Sequence, residues 1–304
     1  MLLSLAHTRE ELAAAIDANE PNRAVVMTMG ALHEGHLDLL RRAGALVGAG
    51  GTVVVTIFVN PLQFAPGEDL EAYPRDLEGD VEKLRTVAET ELQLSQLVVF
   101  APTPEVIYPS GVPQVTINPG PIATVLEGVT RPTHFAGVCQ VVLNLMHLTH
   151  PTWALFGRKD AQQLAIVRAM VRDLAVPLSI EPVDIRRESD GLAMSSRNAY
   201  LTPAQRQQAL ALSQALKAGI AAAESGGDGA AVRQAALAYL ANADGVEVDY
   251  VALVGADSFV DLAGAGLGLD PQKYQPVAGE PALLALAAKV GSTRLIDNTL
   301  ITLR

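Results

Sequence analysis

Short aliphatic and β-branched runs recur along the first half of this chain, separated by segments of helical period. Ala24–Thr28, Thr52–Val59, Leu97–Phe100 and Thr152–Phe156 read as buried strands. Between the first two, the segment His36–Val47 sets Leu37, Leu40, Gly44 and Val47 on one helical face and Arg41 and Arg42 elsewhere. Strand, helix, strand in that order means a parallel sheet joined by crossover helices. The expected fold class is therefore α/β, a doubly wound, Rossmann-like parallel sheet.

The texture changes after Pro182. A polar turn, Arg186-Arg-Glu-Ser-Asp-Gly, leads to Thr202-Pro-Ala-Gln, where a threonine N-cap precedes proline at the first helical position. Ala209–Ala223 and Ala230–Ala241 read as Ala-rich helices split by Glu224-Ser-Gly-Gly-Asp-Gly, and Val246–Val254 and Ala282–Leu303 read as strand-like runs. Gly264–Glu280 reads as a loop. With 304 residues two domains are expected: 1–184, holding the parallel sheet, and 185–304, a smaller α+β domain.

Composition narrows the function. Hydrophobic residues make up 49% and charged residues 18%, enough for a sizeable core. The formal charge of −11 argues against nucleic acid as a partner, while one local cation cluster still suffices for a small anion. Apolar runs such as Thr52–Val59 are far too short to cross a bilayer, and the first residues lack the pattern of a signal peptide. Cys139 is the only cysteine, which fits a reducing, cytoplasmic compartment, and it reads as a small packing residue.

The sharpest chemical signal is Thr28-Met-Gly-Ala-Leu-His-Glu-Gly-His, placed where the first long strand ends and a helix begins. Ligands of open parallel sheets bind at this edge. Gly30 and Gly35 allow backbone to approach a ligand, and His33 and His36, three apart, share a helical face. A helix N-terminus already favours phosphate, and two imidazole donors there would complete a cradle for a polyphosphate. Taken alone, His-x-x-His is more often a pair of capping or surface histidines; the glycines and the preceding strand favour the cradle.

This His-x-Gly-His resembles the signature of the nucleotidyltransferase superfamily. The longer string Met29-Gly-Ala-Leu-His-Glu-Gly-His-Leu is similar to that of the pantothenate synthetases. The likeness continues, in order, through Ile57-Phe-Val-Asn-Pro-Leu-Gln-Phe, Tyr73-Pro-Arg, Phe100-Ala-Pro, Tyr108-Pro, Arg131-Pro-Thr-His-Phe-Ala-Gly-Val, Phe156-Gly-Arg-Lys-Asp-Ala-Gln-Gln, Asp190-Gly-Leu-Ala-Met-Ser-Ser-Arg-Asn and Thr293-Arg-Leu-Ile-Asp-Asn. It implies an AMP-forming ligase that joins pantoate to β-alanine through a pantoyl-adenylate, with ATP and Mg²⁺, as a homodimer.

The resemblance also implies roles. Met29, Gly30, Ala31, Leu32, His33, Glu34, Gly35 and His36 would contact ATP, as would Gly157, Arg158, Lys159, Asp160, Arg186, Met194, Ser195, Ser196 and Arg197. His33, His36 and Lys159 would be catalytic. Thr28, Met29, Asn60, Gln63 and Gln163 would hold pantoate, and Gln63 β-alanine as well. The chemistry agrees: Pro61 ends a strand so that Asn60 and Gln63 can project from the sheet edge, and amides suit hydroxyls and carboxylates. Lys159 is a compact cation for phosphate, and Gln163 lies one helical turn beyond it. Met194-Ser-Ser-Arg-Asn, in a polar connection, would correspond to a mobile loop that closes on ATP.

Asp76, Glu78, Asp80 and Glu82 read first as a solvated helix face; the resemblance adds Asp80 as a carboxylate near Mg²⁺ and pyrophosphate. Met27, Arg158 and Thr133 stand where the family usually has proline, glutamate and glycine, and Gly264–Glu280 is longer than usual. An adenylyltransferase acting on a small phosphorylated acceptor is the rival reading; it would share His-x-Gly-His but not Asn-Pro-Leu-Gln-Phe or the Lys-Asp-x-Gln-Gln helix. The chain lacks Gly-x-Gly-x-x-Gly at a strand-to-helix turn and a P-loop, which disfavours a dehydrogenase or P-loop kinase.

Overall fold

The computed structural model describes residues 1–16, 22–65, 67, 70–71 and 73–303. Its strands are β1 (Leu2–Ala6), β2 (Arg23–Thr28), β3 (Thr52–Ile57), β4 (Gln96–Phe100), β5 (Trp153–Gly157), β6 (Ser179–Val183), β7 (Val246–Gly255), β8 (Ala282–Val290) and β9 (Thr293–Ile301). The helices are α1 (Arg9–Ala15), α2 (Glu34–Val47), α3 (Leu77–Glu91), α4 (Pro104–Ile107), α5 (Glu127–Thr130), α6 (His134–Thr149), α7 (Ala161–Asp173), α8 (Pro203–Glu224) and α9 (Gly229–Ala241). None of the described helices is long and apolar enough to cross a membrane.

The first six strands form one sheet in the order β1-β4-β3-β2-β5-β6, every pair parallel. The chain runs outward from β2 to β3 and β4, then returns to β5 on the other side of β2. That reversal puts the topological switch point at the C-terminal ends of β2 and β5, where crossovers diverge and leave a crevice. Val25, Val54 and Val98 are as buried as their neighbours Val26, Val55 and Val99, so both faces of the central strands are covered. On one face Leu37, Leu40, Ala43 and Val47 of α2 and Val81, Leu84 and Val87 of α3 pack against Val26, Val53, Val55, Leu97 and Val99. The expected apolar stripe on α2 is this buried face.

β7, β8 and β9 form a separate antiparallel sheet. The run expected as one strand-like stretch from Ala282 divides at Gly291 (φ 60°) into a hairpin. One face of this sheet packs on α8 and α9 through Leu284, Leu286, Leu295, Leu212, Leu216 and Leu240. The other face carries Tyr250, Ala252, Leu283 and Ala285 against Leu126 and Ala165. Thr202 caps α8 as read: its hydroxyl accepts from the Gln205 N–H, Gln205 reaches back to the Thr202 N–H, and Pro203 opens the helix.

The described residues fall into two compact units. The first holds 1–119, 131–158 and 166–184; the second holds 120–130, 159–165 and 185–304. Two short segments, 120–130 and 159–165, thus belong with the second unit although they precede residue 184 in the chain.

Candidate active site

In the first unit the motif after β2 is a turn built by backbone. Gly30 (φ 83°) and Ala31 (φ 51°) both occupy the left-handed region, which reverses the chain between β2 and α2. The Thr28 hydroxyl donates to the Thr56 carbonyl at 2.9 Å and accepts from the Gly30 N–H at 3.2 Å. The hydroxyl of Thr28, one of the residues expected at pantoate, thus also shapes the turn through its donor and one acceptor site. A Cβ on Gly30 would lie 3.1 Å from Asp80 Oδ2 and 3.2 Å from Ile57 Cγ2, so glycine also serves close approach here.

His33 stands at the N-cap of α2 with extended backbone (φ −131°, ψ 173°), and His36 lies one turn in. Their rings stack, with centroids 4.0 Å apart and planes 27° from parallel. The His33 N–H donates to His36 Nδ1 at 3.3 Å. An accepting Nδ1 bears no proton, so neutral His36 carries its proton on Nε2. The expected shared face is present, at the positive end of a 14-residue helix.

Asp80 corrects the expectation of a solvated acidic face: it is 1% exposed. Its Oδ1 accepts the Leu32 N–H at 2.8 Å, and Lys83, one turn later, donates to the Leu32 carbonyl at 2.9 Å. Two residues of the first turns of α3 thus hold both main-chain polar groups of Leu32, between Gly30 and His33. Lys83 is a residue that sequence reasoning missed; its spacing of three from Asp80 was the available signal. Asp80 Oδ2 is buried and has no hydrogen-bond partner among the described residues. No cluster of three or more metal-ligating groups occurs among them either. One unsatisfied carboxylate oxygen fits what a protein gives Mg²⁺ when phosphates and waters supply the other ligands.

After β3, Pro61–Gln63 forms a 3-10 turn capped by Asn60. Asn60 differs from expectation: it is 0% exposed and turned inward. Its Nδ2 donates to Gln63 Oε1 (3.0 Å) and the Gly137 carbonyl (3.1 Å), while its Oδ1 accepts from Tyr108 (2.9 Å) and the Leu62 N–H (3.3 Å). Burial raises the Tyr108 phenol well above its usual range, so it remains a donor. With every Asn60 group engaged, the amide positions Gln63. Gln63, half-buried, has its carbonyl oxygen occupied and its NH₂ left as the donor end.

The block from Arg131 acquires its role here. Arg131 and His134 both bond the Gln63 main-chain carbonyl at 3.1 Å. A Cβ on Gly137 would fall 2.2 Å from the Leu62 carbonyl oxygen, so only glycine lets α6 lie this close. Three elements therefore fix one short turn.

β5 ends at Gly157, beside β2. Arg158, the departure from the family pattern, pairs with Asp184 at 3.0 Å on the surface, an interaction worth little. In the second unit, Lys159 lies 3.6 Å from Asp160 at the start of α7. The paired glutamines separate: Gln162, 5% exposed, bonds Ile122, Val125 and Glu127, whereas half-buried Gln163 makes no side-chain hydrogen bond to another described residue. Met194–Arg197 follows a short bridge between Arg187 and Ala193; the Ser195 hydroxyl accepts the Arg197 N–H, starting a 3-10 turn. Ser196 and Arg197 are half-buried.

A parallel sheet whose switch point carries His33 and His36 at the opening of a helix defines a Rossmann-like α/β protein with a candidate anion-binding turn. The sequence profile of the family described as Pantoate-beta-alanine ligase matches residues 3–300. A pantothenate synthetase of Salinispora arenicola is 48% identical over 303 residues, covering 99% of each chain. One from Frankia alni, "Pantothenate synthetase 4", is 50% identical over 290 residues, 95% of this chain and 86% of the other. Among solved structures, a pantothenate synthetase from Thermus thermophilus superposes with a TM-score of 0.84 at 40% identity, over 99% of this chain and 100% of that one. A pantoate–β-alanine ligase from Francisella tularensis, complexed with beta-gamma ATP and β-alanine, gives 0.72 at 28% identity over 98% of both. The chain belongs to the pantoate–β-alanine ligase family.

Proposed function

We propose that this protein condenses pantoate with β-alanine at the expense of ATP, forming pantoyl-adenylate and then pantothenate with release of pyrophosphate and AMP. The observation that carries the reading is the stacked His33–His36 pair at the N-terminus of α2, on the switch-point edge that also bears the triply fixed Gln63 turn. A carboxylate is a poor acyl donor, and adenylation gives it a leaving group. The pantoate carboxylate attacks the α-phosphorus and expels pyrophosphate; the β-alanine amine then attacks the carbonyl carbon of the mixed anhydride and expels AMP. Neither step requires a protein nucleophile, so alignment and charge stabilisation are what the chain must supply.

His36 donates from Nε2 and His33 lies against it, both facing charge that builds on the phosphates. The Gln63 NH₂ donates to oxygens of pantoate and β-alanine, with Asn60 acting behind it rather than on substrate. Lys159, Ser195, Ser196 and Arg197 are the second unit's donors to phosphate, and Gln163, whose neighbour Gln162 is consumed structurally, takes pantoate. Mg²⁺ accompanies ATP, neutralising phosphate charge, and Asp80 Oδ2 is the protein oxygen suited to it. The same reading includes a cytoplasmic homodimer, tested by light scattering and by fractionation of the producing cell.

The test incubates pure protein with ATP, Mg²⁺, pantoate and β-alanine, omitting each in turn. Pantothenate, AMP and pyrophosphate in equal amounts only in the complete mixture support the reading. ADP as product, or turnover on a phosphorylated acceptor in place of pantoate, overturns it.

A further inference from the structure

We infer that Asn298 is a positioning residue for ATP use, acting through the main chain of Lys159; the inference rests on the phosphate role proposed above for Lys159. The segment Thr293–Asn298 contributes no side chain to the proposed chemistry, yet three of its polar residues are spent on holding other segments. Asn298, 6% exposed, donates from Nδ2 to the Lys159 carbonyl at 2.8 Å. Arg294, four residues earlier and so on the same face of β9, makes two 2.7 Å bonds to Glu127, which also accepts from Tyr250. The Glu127 N–H in turn donates to Gln162 in the first turn of α7. One face of β9 thus holds the start of α7 twice, directly at Lys159 and through Glu127 at Gln162.

The opposite face fixes β9 itself. Asp297, 2% exposed, accepts both Arg187 guanidinium nitrogens at 2.6 and 3.0 Å, and also takes the Asn298 N–H at 2.8 Å. Arg187 opens the hairpin that leads to Met194–Arg197. A bidentate guanidinium–carboxylate pair has little angular freedom, so the strand cannot rotate Asn298 away from Lys159 without breaking it. Lysine is a long side chain whose reach is set by where its own backbone is held. A peptide oxygen tied to a sheet strand gives the Lys159 ammonium a fixed origin, which lowers the ordering cost of engaging phosphate.

A double-mutant cycle tests this, with Asn298→Leu and Lys159→Ala read by steady-state kinetics and melting. Asn298→Leu keeps the number and branching of the side-chain heavy atoms and removes the donor. Its KM for ATP is expected to rise about fivefold, the factor of one lost net hydrogen bond, with KM for pantoate unchanged. In the Lys159→Ala background the same substitution is expected to add nothing, because the residue it acts through is gone. Asn298→Ala replaces Asn298→Leu if the latter does not melt cooperatively. Equal factors in both backgrounds, or equal rises for ATP and pantoate, would make Asn298 a stability residue and overturn the inference, as would failure of both variants to fold. Full ATP use by the Lys159→Ala single variant removes the phosphate role of Lys159, and the inference with it; that result is visible before any Asn298 variant is measured.

Discussion

The carboxylate of Asp80 accepts the N–H of Leu32 at 2.8 Å, tying helix α3 to the turn that delivers His33 and His36. The bond reaches across 48 residues of chain and is shielded from water. Asp80→Ala leaves a buried N–H unsatisfied, at a cost of about 1–3 kcal/mol. The expected outcome is a lowered melting temperature together with a loss of turnover larger than Lys83→Ala causes, since Lys83 is partly exposed. Thermal melts and kcat on both variants check this; equal activity in Asp80→Ala and the parent would show that the turn holds itself.

His36→Ala removes the Nε2 donor and the acceptor for the His33 N–H. Turnover is expected to fall roughly 10²–10³-fold, the usual effect of losing one preorganised donor to a charged transition state. The melting temperature should fall by only a few degrees, as one net hydrogen bond is worth about 1 kcal/mol. A variant that is inactive because it is unfolded would return the histidine to a capping role.

Much of this was legible in the sequence, and the omissions have common causes. The central strands announce themselves because they are buried on both faces. β1 and β6 do not: they are the edges of the sheet, only partly buried, and Ser179-Ile-Glu-Pro-Val carries a charge and a proline that an edge tolerates. The histidines could be read because motif and helix start are local. Asn60 and Asp80 could not, since no local pattern says whether an amide or an acid on a turn faces in or out. Arg131 and His134 found their purpose only when the fold brought Gln63, 68 and 71 residues away, to them.

Gly137→Ala is expected to damage the Gln63 turn. The added Cβ would overlap the Leu62 carbonyl, and α6 must shift to relieve it. Overpacking of this kind costs about 1–3 kcal/mol. KM for pantoate and β-alanine should rise more than KM for ATP; rises of equal size for all three substrates would argue that Gln63 is not the residue displaced.

Lys159→Ala is expected to weaken ATP-dependent turnover more than Arg158→Ala does. Arg158 is engaged by Asp184, an exposed pair that contributes little to stability, so its loss should leave the fold and most activity intact. Kinetics on the two variants decide; equal losses would mean that Arg158 has taken part of the phosphate role.

Cys139 is buried, and burial pushes its thiol up to about 11. Only the thiolate reacts, so alkylation by iodoacetamide at neutral pH should be negligible in the folded enzyme and rapid after denaturation. Mass spectrometry reads the adduct. Fast labelling with retained structure would contradict the packing role.

The most direct measurement of the central claim is exchange of radiolabelled pyrophosphate into ATP. If pantoate attacks the α-phosphorus in a separate, reversible first step, exchange should occur with pantoate and Mg²⁺ present and β-alanine absent, and should fall in Gln163→Ala and His36→Ala. Absence of exchange until β-alanine is added would contradict the two-step account, and exchange supported by a phosphorylated acceptor but not by pantoate would contradict the proposed substrate.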